Sequence, residues 1–373
     1  MRVHEIYKIT KGKKAIETSV KTNLRYIQIE DLRTNNEIKY TTVDKGNVTC
    51  NRNDVLIAWD GANAGTVGYN LEGVIGSTLA KLSPLIEGVS PDYSGRFLQS
   101  KFKYLRESCT GATIPHISRA SLETLEIPLP PLTEQKKIAA LLDAADSLRQ
   151  KDKALIAKYD ELTQSLFLEM FGDPVRNEKG WEKVKLESFG KIVTGNTPPR
   201  NNENNYNSRH IEWIKTDNIT SENLFVTTAT EYLSKEGLSQ GRFVEKGSLL
   251  VACIAGSIKS IGRAALTNRS VSMNQQINAI QPNNDISSLF LYFLFKCSVE
   301  YIQEHASNGM KRMLSKGDFQ KILMIKPPFN LQSNFAERVQ AIEKQKSLAQ
   351  LSLKKSEELF EGLLNKVFEN NKY

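Results

Sequence analysis

What the sequence lacks narrows the field first. No stretch approaches the roughly 18–20 consecutive apolar residues that a membrane-crossing helix needs. The opening "MRVHEIYKIT" has no uninterrupted apolar core of the kind a secretion signal carries. The expectation is a cytoplasmic protein with no membrane partner. Cysteine is scarce: Cys50, Cys109, Cys253 and Cys297 stand far apart, and no two form a CxxC pair. A structural zinc site needs close ligand pairs, so free thiols in a reducing compartment are expected instead. His4, His116, His210 and His305 are equally scattered, with no metal-ligand or nucleophile-like spacing. No GxGxxG follows a strand and no GxxxxGK[ST] is present, which leaves neither a dinucleotide fingerprint nor a phosphate loop. "KPPF" (326–329) has the outline of an amino-methyltransferase motif. Its first position must accept a hydrogen bond, however, and the Lys326 ammonium can only donate. "LPPL" (129–132) fails the same test, and "TPPR" (197–200) ends in Arg200 where the motif has an aromatic residue. No carboxylate pair stands out for acid–base work, so no catalytic residue and no metal ligand is assigned.

What is present points to a globular, basic chain. Its 373 residues suggest two to three domains, and a 40% hydrophobic content with aromatics throughout can fill real cores. The net charge of +8 is unevenly spread. Residues 1–132 carry 17 basic and 14 acidic side chains, and residues 172–329 carry 20 and 15. The segments 133–171 and 330–373 are near neutral. A modest basic bias of two segments is compatible with nucleic-acid binding.

An internal repeat organises the chain. "VHEIYKITKG" (3–12) matches "LESFGKIVTG" (186–195), and "RYIQIEDL" (25–32) matches "EWIKTDNI" (212–219). "DVLIAWDGANAGTVG" (54–68) matches "SLLVACIAGSIKSIG" (248–262), and "TGATIPHISRASLETLEIPLPPL" (110–132) answers "SNGMKRMLSKGDFQKILMIKPPF" (307–329). Four matches in one order are hard to obtain by chance. "DVLIAW" and "SLLVACI" read as buried strands, with hairpin-like loops at Gly61, Gly65, Gly68, Gly256 and Gly262. Helices are expected at 93–107 and 287–306. Each copy is therefore a mixed α/β domain.

Each copy ends in a Pro-Pro junction and a long helix. In the first, Pro130 and Pro131 close the strand, Thr133 is placed to cap, and Gly172 and Pro174 stop the helix. Ile138, Ala145, Tyr159 and Leu166 repeat by sevens around Asp152, and Leu141, Leu148, Leu155 and Leu162 form a second row. In the second helix Val339, Leu353, Phe360 and Val367 form one row around Lys346. Ile342, Ala349 and Leu363 form the other around Ser356. Pairing of the two helices as an antiparallel coiled coil buries these rows. The expected seam is Leu141, Leu148, Leu155 and Leu162 against Val339, Ile342, Leu353 and Phe360. The alternative is that each helix packs on its own domain or on a partner.

"IPLPPLTEQKKIAALLDAADSL" (127–148) resembles the central region of type I restriction-modification specificity (S) subunits, through Leu132, Glu134, Gln135, Ile138, Ala139 and Leu142. "GWEKVKLESFGKIVTGNTP" (180–198) resembles the start of a second target-recognition domain of that family, and "NDVLIAWDGANAGTVG" (53–68) is similar to its glycine-punctuated runs. The second junction departs from the pattern, because Leu331-Gln332-Ser333-Asn334-Phe335 lacks the Glu-Gln-x-x-Ile core. The resemblance implies an α+β architecture of two recognition domains, 1–131 and 173–329, and two antiparallel spacer helices, 132–172 and 330–373. It also implies a bipartite, asymmetric target on double-stranded DNA. Methyltransferase (M) subunits, two in number, and through them restriction (R) subunits, would be the partners. The chain itself would catalyse nothing and hold no cofactor; S-adenosylmethionine, ATP and magnesium would belong to the partners. A competing reading is a stand-alone sequence-specific DNA-binding or scaffold protein without restriction partners.

On this reading polar loop residues contact DNA: Lys11, Lys13, Arg33, Asn63, Thr113, His116 and Ser118 in the first domain. The counterparts in the second are Asn196, Thr197, Arg200, Lys215, Lys259, Lys311 and Arg312. Arginine or lysine suits guanine and asparagine suits adenine in the major groove. Lys137, Lys151 and Lys158 on the first helix are candidates for the methyltransferase-facing surface. That helix would measure roughly 58 Å at about 1.5 Å per residue.

Overall fold

The computed structural model describes residues 1–368 except Asn23, Asn35, Asn36, Val43, Ala112, Glu222, Ala255, Gly256 and 308–311, so Gly256 and Lys311 lie outside the described residues. The chain divides into two compact units, Met1–Lys153 with Gln350–Tyr373, and Ala154–Ala349. No described helix is long and apolar enough to cross a membrane.

Both units are built on one plan. In the first, strands Tyr7–Lys11 (β1), Val55–Ala58 (β2), Val67–Gly68 (β3) and Leu79–Pro84 (β4) form an antiparallel sheet in the order β1-β4-β2-β3. In the second, Gly190–Thr194 (β5), Leu249–Ala252 (β6), Ala264–Leu266 (β7) and Ile277–Pro282 (β8) repeat it as β5-β8-β6-β7. The strands β2 and β6 are the apolar runs of "DVLIAW" and "SLLVACI", buried at every position. Such a run has no solvent face to offer, so it takes the inside of the sheet. A second sheet in each unit contains one parallel pair, Arg25–Ile27 with Gly73–Ile75 and Ile211–Ile214 with Val271–Met273. Short helices follow in matched order: Pro91–Ser100, Phe102–Glu107 and Arg119–Glu123 in one unit, Ser288–Lys296, Val299–Glu304 and Lys316–Lys321 in the other.

The long helices are Leu132–Phe171 and Phe329–Phe368. The first starts one residue ahead of Thr133, which therefore sits inside the first turn and does not cap it. The Pro131 carbonyl accepts from Glu134 and Gln135 N–H at 2.8 and 3.1 Å; the Pro328 carbonyl accepts from Leu331 and Gln332 N–H at 3.0 and 3.2 Å. Gly172 ends the first helix in the left-handed region, φ +77°, with its N–H on the Leu168 carbonyl.

The second junction keeps one element of the Glu-Gln-x-x-Ile core, and the structure shows why. Gln135 Nε2 donates to the Pro130 and Gly88 carbonyls at 2.8 and 3.0 Å, and its Oε1 accepts from Ser90 N–H at 2.9 Å. Gln332 repeats this with Pro327 at 2.8 Å, Asp285 at 3.5 Å and Ser287 N–H at 3.0 Å. Ser90 and Ser287 are in turn the N-caps of the matched helices that follow them. Both glutamines are fully buried. Lys326, the first residue of "KPPF", pairs with Asp285 at 2.7 Å and belongs to the same joint.

Within each unit a half of one long helix runs antiparallel to a half of the other. In the first unit Asp152 accepts from Ser352 and Ser356 at 3.1 and 2.9 Å, Lys153 pairs with Glu357 at 3.2 Å, and the Arg149 guanidinium lies 4.5 Å over the Phe360 ring. In the second Lys346 pairs with Asp160 at 2.6 Å and Phe167 meets Phe335 at 5.6 Å. Val339 and Phe360 are buried and Ile342 and Leu353 half-buried, as the seam requires. The leucine row is not there. Leu141, Leu148, Leu155 and Leu162 are 51, 45, 41 and 51% exposed. The inner rows are Ala145, Asp152, Tyr159 and Leu166 with Leu142, Arg149, Ile156 and Thr163. One residue is about 100° of helix, so the second row lies beside the leucines rather than on them. Arg149 takes an inner position because Arg96 and Arg149 share Asp146, both at 3.0 Å or less. Burial alone would raise the Asp146 carboxyl, but those bonds and charges hold it below the usual range.

Gln135→Ala removes three hydrogen bonds and leaves the Ser90 N–H and two carbonyls without their partner. The expected loss is roughly 2–4 kcal/mol in the unit that contains it. Gln332→Ala should cost less, because its Asp285 contact is longer. Urea melts followed through Trp59 for the first unit and Trp181 and Trp213 for the second would show an unchanged midpoint if the joint were decorative.

Candidate nucleic-acid interface

In the first unit the predicted residues gather in two groups. Lys11, the last residue of β1, places Nζ 2.7 Å from Asp60 Oδ2, and His116 Nδ1 lies 2.6 Å from Asp60 Oδ1. Asp60 and His116 face each other in an isolated antiparallel bridge, and Thr110 and His116 exchange backbone hydrogen bonds that close the 110–116 loop. Thr113 is exposed in that loop. The second group joins Arg33 to Asn63, with Nη2 at 2.9 Å from Asn63 Oδ1 and 3.1 Å from Thr66 Oγ1. Lys13 is exposed and belongs to neither group. The Ser118 hydroxyl is engaged locally, where it accepts from the Ser121 N–H and caps the helix Arg119–Glu123.

The second unit arranges its residues differently. Asn196 is committed to its own loop, donating from Nδ2 to the Gln240 carbonyl at 2.7 Å, and Thr197 is hydrogen-bonded to Gln275. Arg200 and Lys215 converge on one carboxylate, Glu231. Burial would raise the Glu231 carboxyl, but the hydrogen bonds from Lys215 and Arg200 and their charges hold it below the usual range. A lowered carboxyl pKa gives stabilisation that is complete above the ordinary range and is lost as pH falls through the lowered value. The cluster is therefore intact at neutral pH. Lys259 and Arg312 are exposed, Lys259 within the short 3-10 helix Ile258–Ser260. Where the first unit bridges Asp60 to His116, the second bridges Ile254 to Met313. The same backbone feature carries a polar, hydrogen-bonded pair in one unit and an apolar pair in the other.

Asp60, Thr66, Tyr206, Trp213 and Glu231 were not among the expected residues. Trp213 and Lys215 stand two apart at the end of a strand, which puts both on one face, and that spacing was legible. The acids were not, because their partners come from segments distant in sequence. Among the described residues, no group of three or more His, Cys, Asp or Glu side chains is placed to hold a metal ion.

Comparison with known proteins places this geometry in a family. A profile described as "Type I restriction modification DNA specificity domain" matches residues 1–158 and 178–356, once in each repeat. The type I restriction enzyme MjaVIII specificity subunit of Methanocaldococcus jannaschii is 25% identical, over 96% of this chain and 88% of its own. The HindI specificity subunit of Haemophilus influenzae is 30% identical over 44% of this chain and 36% of its own. The crystal structure of a type I restriction-modification S subunit from M. genitalium has the same fold, with a TM-score of 0.63, 18% identity and coverage of 99% and 96% of the two chains. A structure from work on complex assembly and conformational transition of the type I R-M system superposes at 0.57, with 16% identity over 100% and 97%. With both repeats matched and nearly the whole length covered, the chain belongs to the type I restriction-modification specificity subunits.

Proposed function

We propose that the chain reads a bipartite, asymmetric DNA sequence, one half through each recognition domain, and delivers methyltransferase and restriction subunits to it. The observation that carries this is a central four-stranded sheet repeated strand for strand in both units, on a framework whose polar loops are not repeated. The domains are residues 1–131 and 173–329, spaced by helices within 132–172 and 330–373. Lys11, Lys13, Arg33, Asn63, Thr113, His116 and Ser118 serve the first domain. Asn196, Thr197, Arg200, Lys215, Lys259, Lys311 and Arg312 serve the second. Charged side chains among them that meet phosphates supply affinity, and those that meet base edges supply specificity. The chain itself catalyses nothing; S-adenosylmethionine, ATP and magnesium act on its partners, in the cytoplasm.

The leucines turned away from the helix seam support a docking role. Leu141, Leu148, Leu155 and Leu162 recur every seven residues on one continuous helix, a spacing that another helix can match by knobs-into-holes packing. We assign this row to helices of the methyltransferase subunits, two of which would serve the two repeats, with Lys137, Lys151 and Lys158 exposed on the same helix.

Leu148→Lys with Leu155→Lys should leave the melting temperature nearly unchanged, because both sites are already open to water. Affinity for the methyltransferase subunit should fall by about 30-fold or more, roughly 2–4 kcal/mol. Titration calorimetry of the two purified proteins checks this, and unfolding of the variant would place the row inside the chain after all.

Methylome sequencing of cells expressing the chain with the methyltransferase subunit of its own system tests the reading as a whole. A bipartite methylated motif is expected. Four residues inserted into the helix Leu132–Phe171 add roughly 6 Å. At about 3.4 Å per base pair the unread spacer should grow by about two base pairs, with both half-sites kept. An unchanged spacer with activity retained rejects the helix as the ruler, and the absence of any bipartite motif rejects the reading.

A further inference from the structure

The "TPPR" stretch, left without a role by the failed methyltransferase test, ends in an exposed cation that is held from several sides. Arg200 follows Pro198 and Pro199, whose rings fix two successive φ angles. The Arg200 guanidinium lies 4.5 Å from the Tyr206 ring centroid and 4.7 Å from that of Trp213. Those rings meet edge to face at 5.9 Å, so the guanidinium sits in an aromatic corner. Its Nη2 donates to Glu231 Oε2 at 2.7 Å. The corner is itself braced. Tyr206 Oη donates to the Pro198 carbonyl at 2.7 Å, Trp213 Nε1 to the Asn196 carbonyl at 3.3 Å, and Asn205 Nδ2 to the Pro199 carbonyl at 3.0 Å.

An arginine used only as a solvated charge needs no such bracing. Glu231 occupies one N–H of Nη2, so the guanidinium edge that does not share that hydrogen keeps both of its donors. About half of the side chain remains exposed. A planar, pre-oriented pair of donors fits the O6 and N7 acceptors of guanine in the major groove. Among the described residues of the first unit, the arginine set between two rings and a carboxylate is Arg96, which is buried rather than exposed. The first unit's segment between β1 and the strand Arg25–Ile27 is shorter than the one between β5 and Ile211–Ile214, and it carries Lys13 and Lys14 in place of the braced arginine.

We propose that Arg200 is the guanine-reading side chain of the second recognition domain, with Tyr206, Trp213 and Glu231 as its positioning residues. The assignment rests on the reading of that domain as a DNA-sequence reader. It makes one half-site contain a guanine whose identity depends on Arg200, and leaves the other half-site independent of it.

The test uses the full chain in complex with its methyltransferase subunit, selected on a library of randomised DNA duplexes that is then sequenced. Arg200→Ala should turn one guanine of one half-site degenerate, with a loss of discrimination of roughly 5- to 150-fold. The other half-site should stay as it was. Replacing that guanine by 7-deazaguanine should reproduce the loss for the wild type and change nothing for the variant. Arg200→Lys keeps the charge and the stem but lacks the fork, so it should relax the same position while general DNA affinity persists. It also serves if the alanine variant does not fold. Two results overturn the assignment and leave the domain reading standing. One is unchanged selectivity in both variants. The other is a uniform loss over all sequences with the salt slope reduced by about one, the mark of a phosphate contact. A wild-type complex that selects no sequence overturns both.

Discussion

Two buried glutamines set the directions on which the architecture depends. A Pro-Pro pair fixes two φ angles at the end of a recognition domain, but it does not by itself aim the helix that follows. Gln135 and Gln332 do this from the first turn of each helix. Each ties the hinge carbonyl behind it to the capping serine of a neighbouring helix and to a loop carbonyl. The helix therefore leaves its domain at an angle held by that domain's own backbone. Methylenes cannot replace the amide here, because two carbonyls and one N–H would be stranded away from water. The Glu of the Glu-Gln pair is exposed and dispensable, which explains why the second joint keeps the Gln and substitutes Leu331 before it.

Once aimed, the helices must find one register. Apolar heptads alone tolerate slips of seven residues, and this seam is poor in leucine. Its specificity lies in polar contacts that have only one satisfactory alignment. Asp152 requires Ser352 and Ser356, and Lys346 requires Asp160. A slip would bury an unpaired carboxylate in one unit and an unpaired ammonium in the other, each costing several kcal/mol. Strength per residue is traded for a unique alignment, and the leucines that would have given strength remain available on the outside.

That inversion marks the limit of what the sequence discloses. The repeat, its order, the strands β2 and β6, the Pro-Pro joints, the Gly172 stop and the seam rows of the second helix were all legible. Each is written in local chemistry or in a period. The first helix misled because it carries two adjacent rows that satisfy a heptad, and the more apolar one faces solvent. Choosing the row with Arg149 and Thr163 requires knowing that Arg96, about fifty residues away in sequence, holds Asp143 and Asp146. Among the candidate contact residues, the cations could be picked out as polar loop residues, whereas Asp60 and Glu231, which group them, could not. A carboxylate in a basic loop has no period, and its partners are set by tertiary contact.

The bridges Asp60–His116 and Ile254–Met313 join these two levels. Both hold a loop beside the same sheet position, and both are followed within a few residues by a serine that caps a short helix, Ser118 and Ser315. Backbone hydrogen bonds carry the geometry, so the side chains at the bridge are released from structural duty. One unit can then place a lysine, an aspartate and a histidine there, and the other two apolar side chains, without cost to the fold. Divergent chemistry on a shared backbone device is what a molecule needs if its two repeats are to read different half-sites. The insertion that carries Arg200 adds a second divergence, this one in length. It enters between two strands of the second unit, where a loop can grow without touching the glutamine joint or the helix seam.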